Sequence, residues 1–294
     1  MEALHQNIEN FANLSHPQYQ LVAVLLMIGY GAHFAFSVFF LAASTQIAPR
    51  YRLVPWLSAV IMLAAGLSLL REYIAWSDSF TWVGTQWMPA ADTVFSNAYR
   101  YANWTITIPL LLAQLLIALN LPQRTIHKRF AALVVAAIAM IWTGLIGQFF
   151  EHSNVGTMLL WGFISTIPFV YLVWGVWKSL RESRAHTPPQ LHGWLHNLFF
   201  YFLFFWGLYA LAYMVPAVGT DGDAIVVRQF MYTVADIFSK LVYGVILSRF
   251  VLRRSALEGY DGAVKALASW AGLTGSASGE PLDETPSSPQ AKEL

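Results

Sequence analysis

The chain has 294 residues, of which 57% are hydrophobic and 11% charged, whereas soluble domains carry about a quarter charged residues. It contains no cysteine, which excludes a disulfide framework, a thiolate metal site and an iron–sulfur cluster. The formal net charge of +1 conceals an uneven distribution along the chain, and the apolar excess points to a membrane protein.

The opening residues 1–18 are polar and lack a basic n-region, so no cleaved signal peptide is expected there. Seven apolar stretches follow, near 19–46, 53–77, 95–120, 127–150, 155–181, 193–217 and 225–252, each long enough to cross a bilayer as a helix. The connections then alternate between two sides. One side gathers Arg50, Arg52, Arg124, Lys128, Arg129, Lys178, Arg181, Arg184, Arg253 and Arg254, and the other is acidic, with Arg228 as its single base. The positive-inside rule therefore predicts an all-α, seven-helix bundle with its N-terminus outside and its C-terminus cytoplasmic. Trp76, Trp82, Trp87 and Trp177 lie near span ends, as interfacial tryptophans do. The expected organisation is an extracellular segment 1–18, a bundle 19–255 and a cytoplasmic tail 256–294, rich in Gly, Ser, Pro and acids from about 270 and mostly disordered.

Polar residues inside these spans need a reason. In the third span, RYANWTITIPLLLAQ places Asn103, Thr107 and Gln114 on one helix face, within about 40° of each other. That stripe climbs roughly 16 Å, half of a bilayer core, and together with Arg100 it exceeds what helix–helix glue requires. In the last span, VADIFSKLVYG sets Asp236 one turn before Lys240. A lysine at mid-span costs about 2.5–3.5 kcal/mol on insertion scales. Helical periodicity allows two readings equally, a structural ion pair or an amine that condenses with a carbonyl cofactor. Gly144 and Gly147 read as helix packing, His33 as a packing histidine, and His127, His186 and His192 show no metal spacing. No hydrolytic triad, phosphate loop or nucleic-acid signature is present, so no enzyme and no nucleic-acid partner are expected.

Seven N-out helices, a final-helix lysine four residues after an aspartate, and RYxxWxxTxPLLL in the third helix resemble the microbial rhodopsins over residues 19 to 255. The resemblance implies all-trans retinal bound at Lys240, lined by Trp104, Leu111, Trp206, Tyr209 and Ser239, with Trp161, Gly162, Ser165, Thr166 and Phe169 at its ring end. Ala210 stands where the family usually has proline. Gly162 implies a lateral window that a carotenoid antenna can use, although a glycine in a membrane helix is commonly a packing device.

Asn103, Thr107 and Gln114 resemble the NTQ pattern of bacterial light-driven chloride pumps. NIENF, SNAYRYANW, TGLIGQFFE and VRQFMYTVADIFSK are similar to the same clade. The resemblance implies inward movement of chloride or another halide, with Arg100 and Asp236 beside the lysine and Glu9, Asn97, Glu151 and Arg228 in an extracellular gate. Independently of the resemblance, a buried cationic nitrogen needs a negative partner, and hydrogen-bond donors with no acid leave room for a halide. Glu72, where relatives usually have glutamine, and Ala64, where they often have serine, depart from the pattern. Arg71 is expected to point away from Glu72. Two alternatives stay open: proton translocation through Glu72 or Asp236, and a photosensor that pumps little. The expected setting is the bacterial cell (inner) membrane, multi-pass, in a lipid bilayer, with relatives commonly forming trimers or pentamers.

Overall fold

The computed structural model describes residues 7–273. Among the described residues, seven helical spans are long and apolar enough to cross a membrane. They are built from α1 (His16–Ala43), α2 (Leu53–Asp78), α3 (Ala98–Leu119), α4 (Gln123–Gln148), α5 (Val155–Ser183), α6 (His192–Met214) and a composite last span. The last span runs through α7 (Gly222–Asp236), a π-helical turn (Ile237–Val242) and α8 (Tyr243–Leu257) without a break. The outer faces carry exposed apolar side chains such as Val38, Ile106, Val135, Phe163 and Phe204, while the bundle interior holds buried Arg100, Arg228, Asp236 and Lys240. This inversion of the soluble pattern is what a lipid solvent selects.

Local chemistry sets the helix ends. The Ser15 hydroxyl accepts from the Gln18 amide and the Gln18 side chain accepts from Ser15 N–H, closing a capping box ahead of the apolar run. Asn154 and Asp221 cap α5 and α7 in the same sense. Asn120 ends α3 in the left-handed region at φ 52°, a conformation that asparagine tolerates. Helix α4 starts at Gln123, four residues before the expected 127, because its first turn is basic and escapes a hydropathy reading.

The structure adds two elements outside the expected spans and corrects one expectation. First, the connection between α2 and α3 is a hairpin, β1 (Phe80–Val83) and β2 (Gln86–Pro89), with Trp82 opposite Trp87 and Gly84 at φ 62° in the turn. Aromatic strand formers flanking a glycine turn explain it, and Leu14 pairs with Trp87 to seal the N-terminal segment against the hairpin. Second, Trp76 is not interfacial: it is fully buried, donates to the Tyr19 carbonyl at 3.3 Å and packs on Phe80 and Phe95. Third, a further helix stands ahead of the segment from about 270 that is expected to be disordered. Helix α9 (Asp261–Leu273) follows and packs against α8 through buried Ala263 and Ala266. The expected disorder of the remaining tail lies outside the described residues.

Candidate functional site

The site is centred on Lys240, which the π turn carries in the interior of the last span. A π turn widens the helix by one residue and is a common feature of functional positions. Lys240 Nζ forms an ion pair with Asp236, one turn earlier on the same span, and donates to the Tyr209 hydroxyl at 2.9 Å. Asp236 is saturated with donors. Arg100 Nη1 reaches it at 2.7 Å, the Tyr209 hydroxyl at 2.8 Å and Trp104 Nε1 at 3.2 Å, in addition to Lys240. Because the Tyr209 proton goes to Asp236, that oxygen accepts from Lys240 and from Ser239, 2.8 Å away. Arg100 also donates to the Gln229 side chain at 2.9 Å. The centre is therefore one carboxylate shared by two cations.

Above this centre lies a cavity of about 510 Å³. Trp104, Trp206 and Tyr209 wall it on the lysine side, Ile108, Met140, Ile141 and Gly144 along one flank, and Gly162, Ser165, Thr166 and Phe169 at the far end. Of the residues expected to line a cofactor, Leu111, Trp161 and Ser239 stand off the cavity. Leu111 is buried in the core, Trp161 packs beside Gly147, and Ser239 touches the hydroxyl of Tyr209. Lys240 itself is folded onto Asp236, and Tyr209 stands between it and the cavity. Gly162 and Gly147 form a notch filled by Tyr213, whose Cε1 lies 2.7 Å from where a Cβ at 162 would be. The Tyr213 hydroxyl donates to the Met158 carbonyl at 2.7 Å, which fixes the ring there.

The polar stripe of α3 is buried along its length, with Asn103, Thr107 and Gln114 all inside. Thr107 donates to the Asn103 carbonyl at 2.9 Å, and the Asn103 side-chain oxygen has no partner. Gln114 donates to the Ser58 hydroxyl and to the Val54 carbonyl at 3.2 Å, tying α3 to α2. Glu72 is fully buried, with Arg100 Nε 3.9 Å away as its one ion-pair contact among the described residues. Arg71 turns away, as expected, and donates to the Tyr99 hydroxyl at 3.0 Å.

At the N-terminal face a second buried network closes the bundle. Arg228 forks onto Glu151 at 2.8 and 2.5 Å and lies 3.5 Å from Glu9. Asn97 and Gln229 donate to Glu9 at 3.2 and 2.7 Å, and Asn7 donates to Glu151 at 3.1 Å. The four residues expected here, Glu9, Asn97, Glu151 and Arg228, are brought together. Gln229 links this network to Arg100, which makes the two clusters one chain of contacts.

The sequence profile of the family described as "Bacteriorhodopsin-like protein" matches residues 20–253. The chain belongs to this family of microbial rhodopsins. A crystallographic structure of xanthorhodopsin, described as a light-driven ion pump with dual chromophore, is 31% identical and covers 85% of this chain and 99% of its own, with a TM-score of 0.78. A structure of a thermophilic rhodopsin is likewise 31% identical over 84% of this chain and 99% of its own, with a TM-score of 0.79. The green-light absorbing proteorhodopsin of Gamma-proteobacterium EBAC31A08 is 22% identical over 58% of this chain, and the match spans 66% of that relative's length. This rhodopsin is thus a multi-pass protein of the cell membrane.

Members of this family bind retinal through a Schiff base on a lysine, and the interior here fits such a group. The cavity is apolar and aromatic, and its wall ends at Tyr209, whose hydroxyl touches the one lysine buried in the bundle. Residues that the sequence reading passed over are Gln229, Asn7, Ser58 and Tyr213. Gln229 stands seven residues before Asp236 on the same helix face, a periodicity that marks it in retrospect. Asn7 opens the stretch NIENF, whereas Ser58 and Tyr213 carry no comparable signal, since no periodicity ties them to the lysine and their partners are more than 50 residues away.

Proposed function

We propose that this rhodopsin is a light-driven pump that moves chloride, or another halide, inward across the membrane. The observation that carries the reading is the charge set at Lys240. Asp236 is the one carboxylate that touches the lysine, it is already shared with Arg100, and the neighbouring α3 stripe offers Asn103, Thr107 and Gln114 in place of acids. Two cations on one carboxylate favour an anion nearby, and the amide of Asn103 and the hydroxyl of Thr107 are donors of the right kind. The single Thr107 proton now goes to the Asn103 carbonyl, so an arriving halide would draw it away. Retinal, when bound at Lys240, supplies light absorption and a change of shape at the lysine nitrogen.

In this reading the Glu9–Glu151–Arg228–Gln229 network lies on the extracellular side and Arg100 gathers the anion from it. Gln114, held by Ser58 and Val54, is the polar group the anion meets in the cytoplasmic half. The orientation rests on the excess of Lys and Arg at the opposite end. An antenna carotenoid at Gly162 has weaker support, because the Tyr213 ring already fills that notch. Glu72 favours a second reading, proton translocation, since it is a buried acid 3.9 Å from Arg100.

The test is the light-induced pH change of a suspension of retinal-supplied cells, in sodium chloride and in sodium sulfate. Inward chloride movement turns the medium alkaline in chloride, more so with a protonophore, and gives no signal in sulfate. A signal unchanged in sulfate and abolished by protonophore overturns the reading in favour of proton transport.

A further inference from the structure

Four carboxylates are buried on the N-terminal side of Lys240: Glu9, Glu72, Glu151 and Asp236. Three of them are well supplied with donors. Asp236 receives Arg100, Trp104, Tyr209 and Lys240, Glu151 receives Arg228, Asn7 and the Ile8 amide, and Glu9 receives Asn97 and Gln229. Glu72 differs. Neither of its oxygens has a hydrogen-bond partner of ordinary geometry among the described residues: the Arg100 backbone amide interacts only weakly, and the nearest cationic atom, Arg100 Nε at 3.9 Å, lies beyond hydrogen-bond reach. The two Arg100 Nη atoms are committed to Asp236 and Gln229. A buried carboxylate without donors is poorly held as an anion and readily held as an acid.

The charges around it sharpen the point. Glu72 is faced by Glu9 from the N-terminal segment, by Arg100 from α3 and by Asp236 from α7, and these are in turn paired with Arg228, which grips Glu151, and with Lys240 from the π turn. From α1 the imidazole of His33 acts on Lys240 and Asp236, and Arg71 on α2 is turned to Tyr99 at the surface. Three buried cations thus meet four buried carboxylates. A halide added to this set would deepen the negative surplus in a region of low dielectric, unless a proton came with it.

We propose that the anion site takes up its halide together with one proton, and that the proton settles on Glu72. The proposal rests on the halide reading of the Lys240 site given above. Its balance is simple: a Glu72 carboxylate, one proton from water and one halide ion give the neutral acid and the bound halide, and release reverses it. By linkage, the apparent dissociation constant for halide rises about tenfold per pH unit once Glu72 is ionised in the halide-free protein.

The experiment uses purified, retinal-loaded full-length protein and follows the visible absorption maximum during bromide titration from about pH 5 to about pH 9. The proposal expects affinity to weaken by about tenfold per pH unit at the alkaline end in the wild type, and to be flat with pH in Glu72→Gln. A halide-dependent shift with the same affinity at every pH overturns the coupling and leaves the anion site standing. The same slope retained in Glu72→Gln also overturns it, because another acid would then carry the proton. No halide-dependent shift in either protein overturns the anion reading itself, and this proposal with it. A readout that needs no variant is the pH of an unbuffered wild-type sample on adding sodium bromide, starting at the alkaline pH where the bromide titration shows its tenfold slope. Uptake of one proton per bound bromide supports the coupling, and no uptake overturns it.

Discussion

The two halves of the bundle, on either side of Lys240, are built on opposite principles. The half toward the N-terminal face holds Arg100, Asp236, Glu72, Gln229, Glu9, Asn97, Glu151 and Arg228 in a nearly continuous polar chain. The other half is apolar. Leu111, Leu112, Leu115, Leu116, Leu247 and Val251 fill it, and Gln114 with Ser58 is its main polar contact before Arg254 closes the far end on the Ala118, Leu119 and His186 carbonyls. An ion can be stabilised at many points in the first half and at few in the second. In the proposed pump this difference would put the resting barrier on the C-terminal side of the lysine.

Breaking the centre that divides the halves has the largest effect. Lys240→Ala is expected to abolish retinal attachment, and an absorption spectrum of retinal-supplied membranes checks this by showing no visible band. Next comes Asp236→Asn, which leaves Arg100 and Lys240 buried together without their shared carboxylate. A loss of about 3–5 kcal/mol is expected for breaking a buried ion pair in this way, read as a fall in the thermal midpoint of the detergent-solubilised protein.

The polar half can then be tested at its mouth. Glu151→Gln removes the charge that Arg228 grips at 2.5 and 2.8 Å, and Glu9 remains as a partner 3.5 Å away. The expected cost is smaller than for Asp236, about 2–3 kcal/mol, with transport in the suspension assay reduced and the absorption maximum little changed. The smallest effect belongs to the apolar half. Gln114→Leu deletes hydrogen bonds to Ser58 and Val54, costing about 1 kcal/mol. It should leave the halide-dependent spectrum intact while slowing recovery of the dark state after a flash. Recovery at the wild-type rate would show that Gln114 is only a strut between α2 and α3.

Much of this arrangement was legible in one dimension because lipid imposes it. Seven apolar runs, the biased placement of Lys and Arg, and a lysine and aspartate at helical spacing follow from the bilayer's demand that each backbone group be satisfied within its own helix. The stripe Asn103, Thr107 and Gln114 was legible for the same reason, since polar residues in a span stand out against their apolar neighbours. The hairpin between α2 and α3 and helix α9 were not, because both lie beyond the spans where hydropathy carries little information.

What sequence alone determined is therefore the bundle, its spans and the identity of the buried lysine, all of them consequences of local periodicity and of the cost of polar groups in hydrocarbon. Tertiary structure decided the rest. It set Arg100 and Lys240 on one carboxylate, put Tyr213 into the notch of Gly147 and Gly162, tied Gln229 to both clusters, and left Glu72 without a donor. Each of these depends on how helices far apart in the chain rotate against one another. Hydrogen-bond satisfaction is a property of that assembled interior, and no single span carries it.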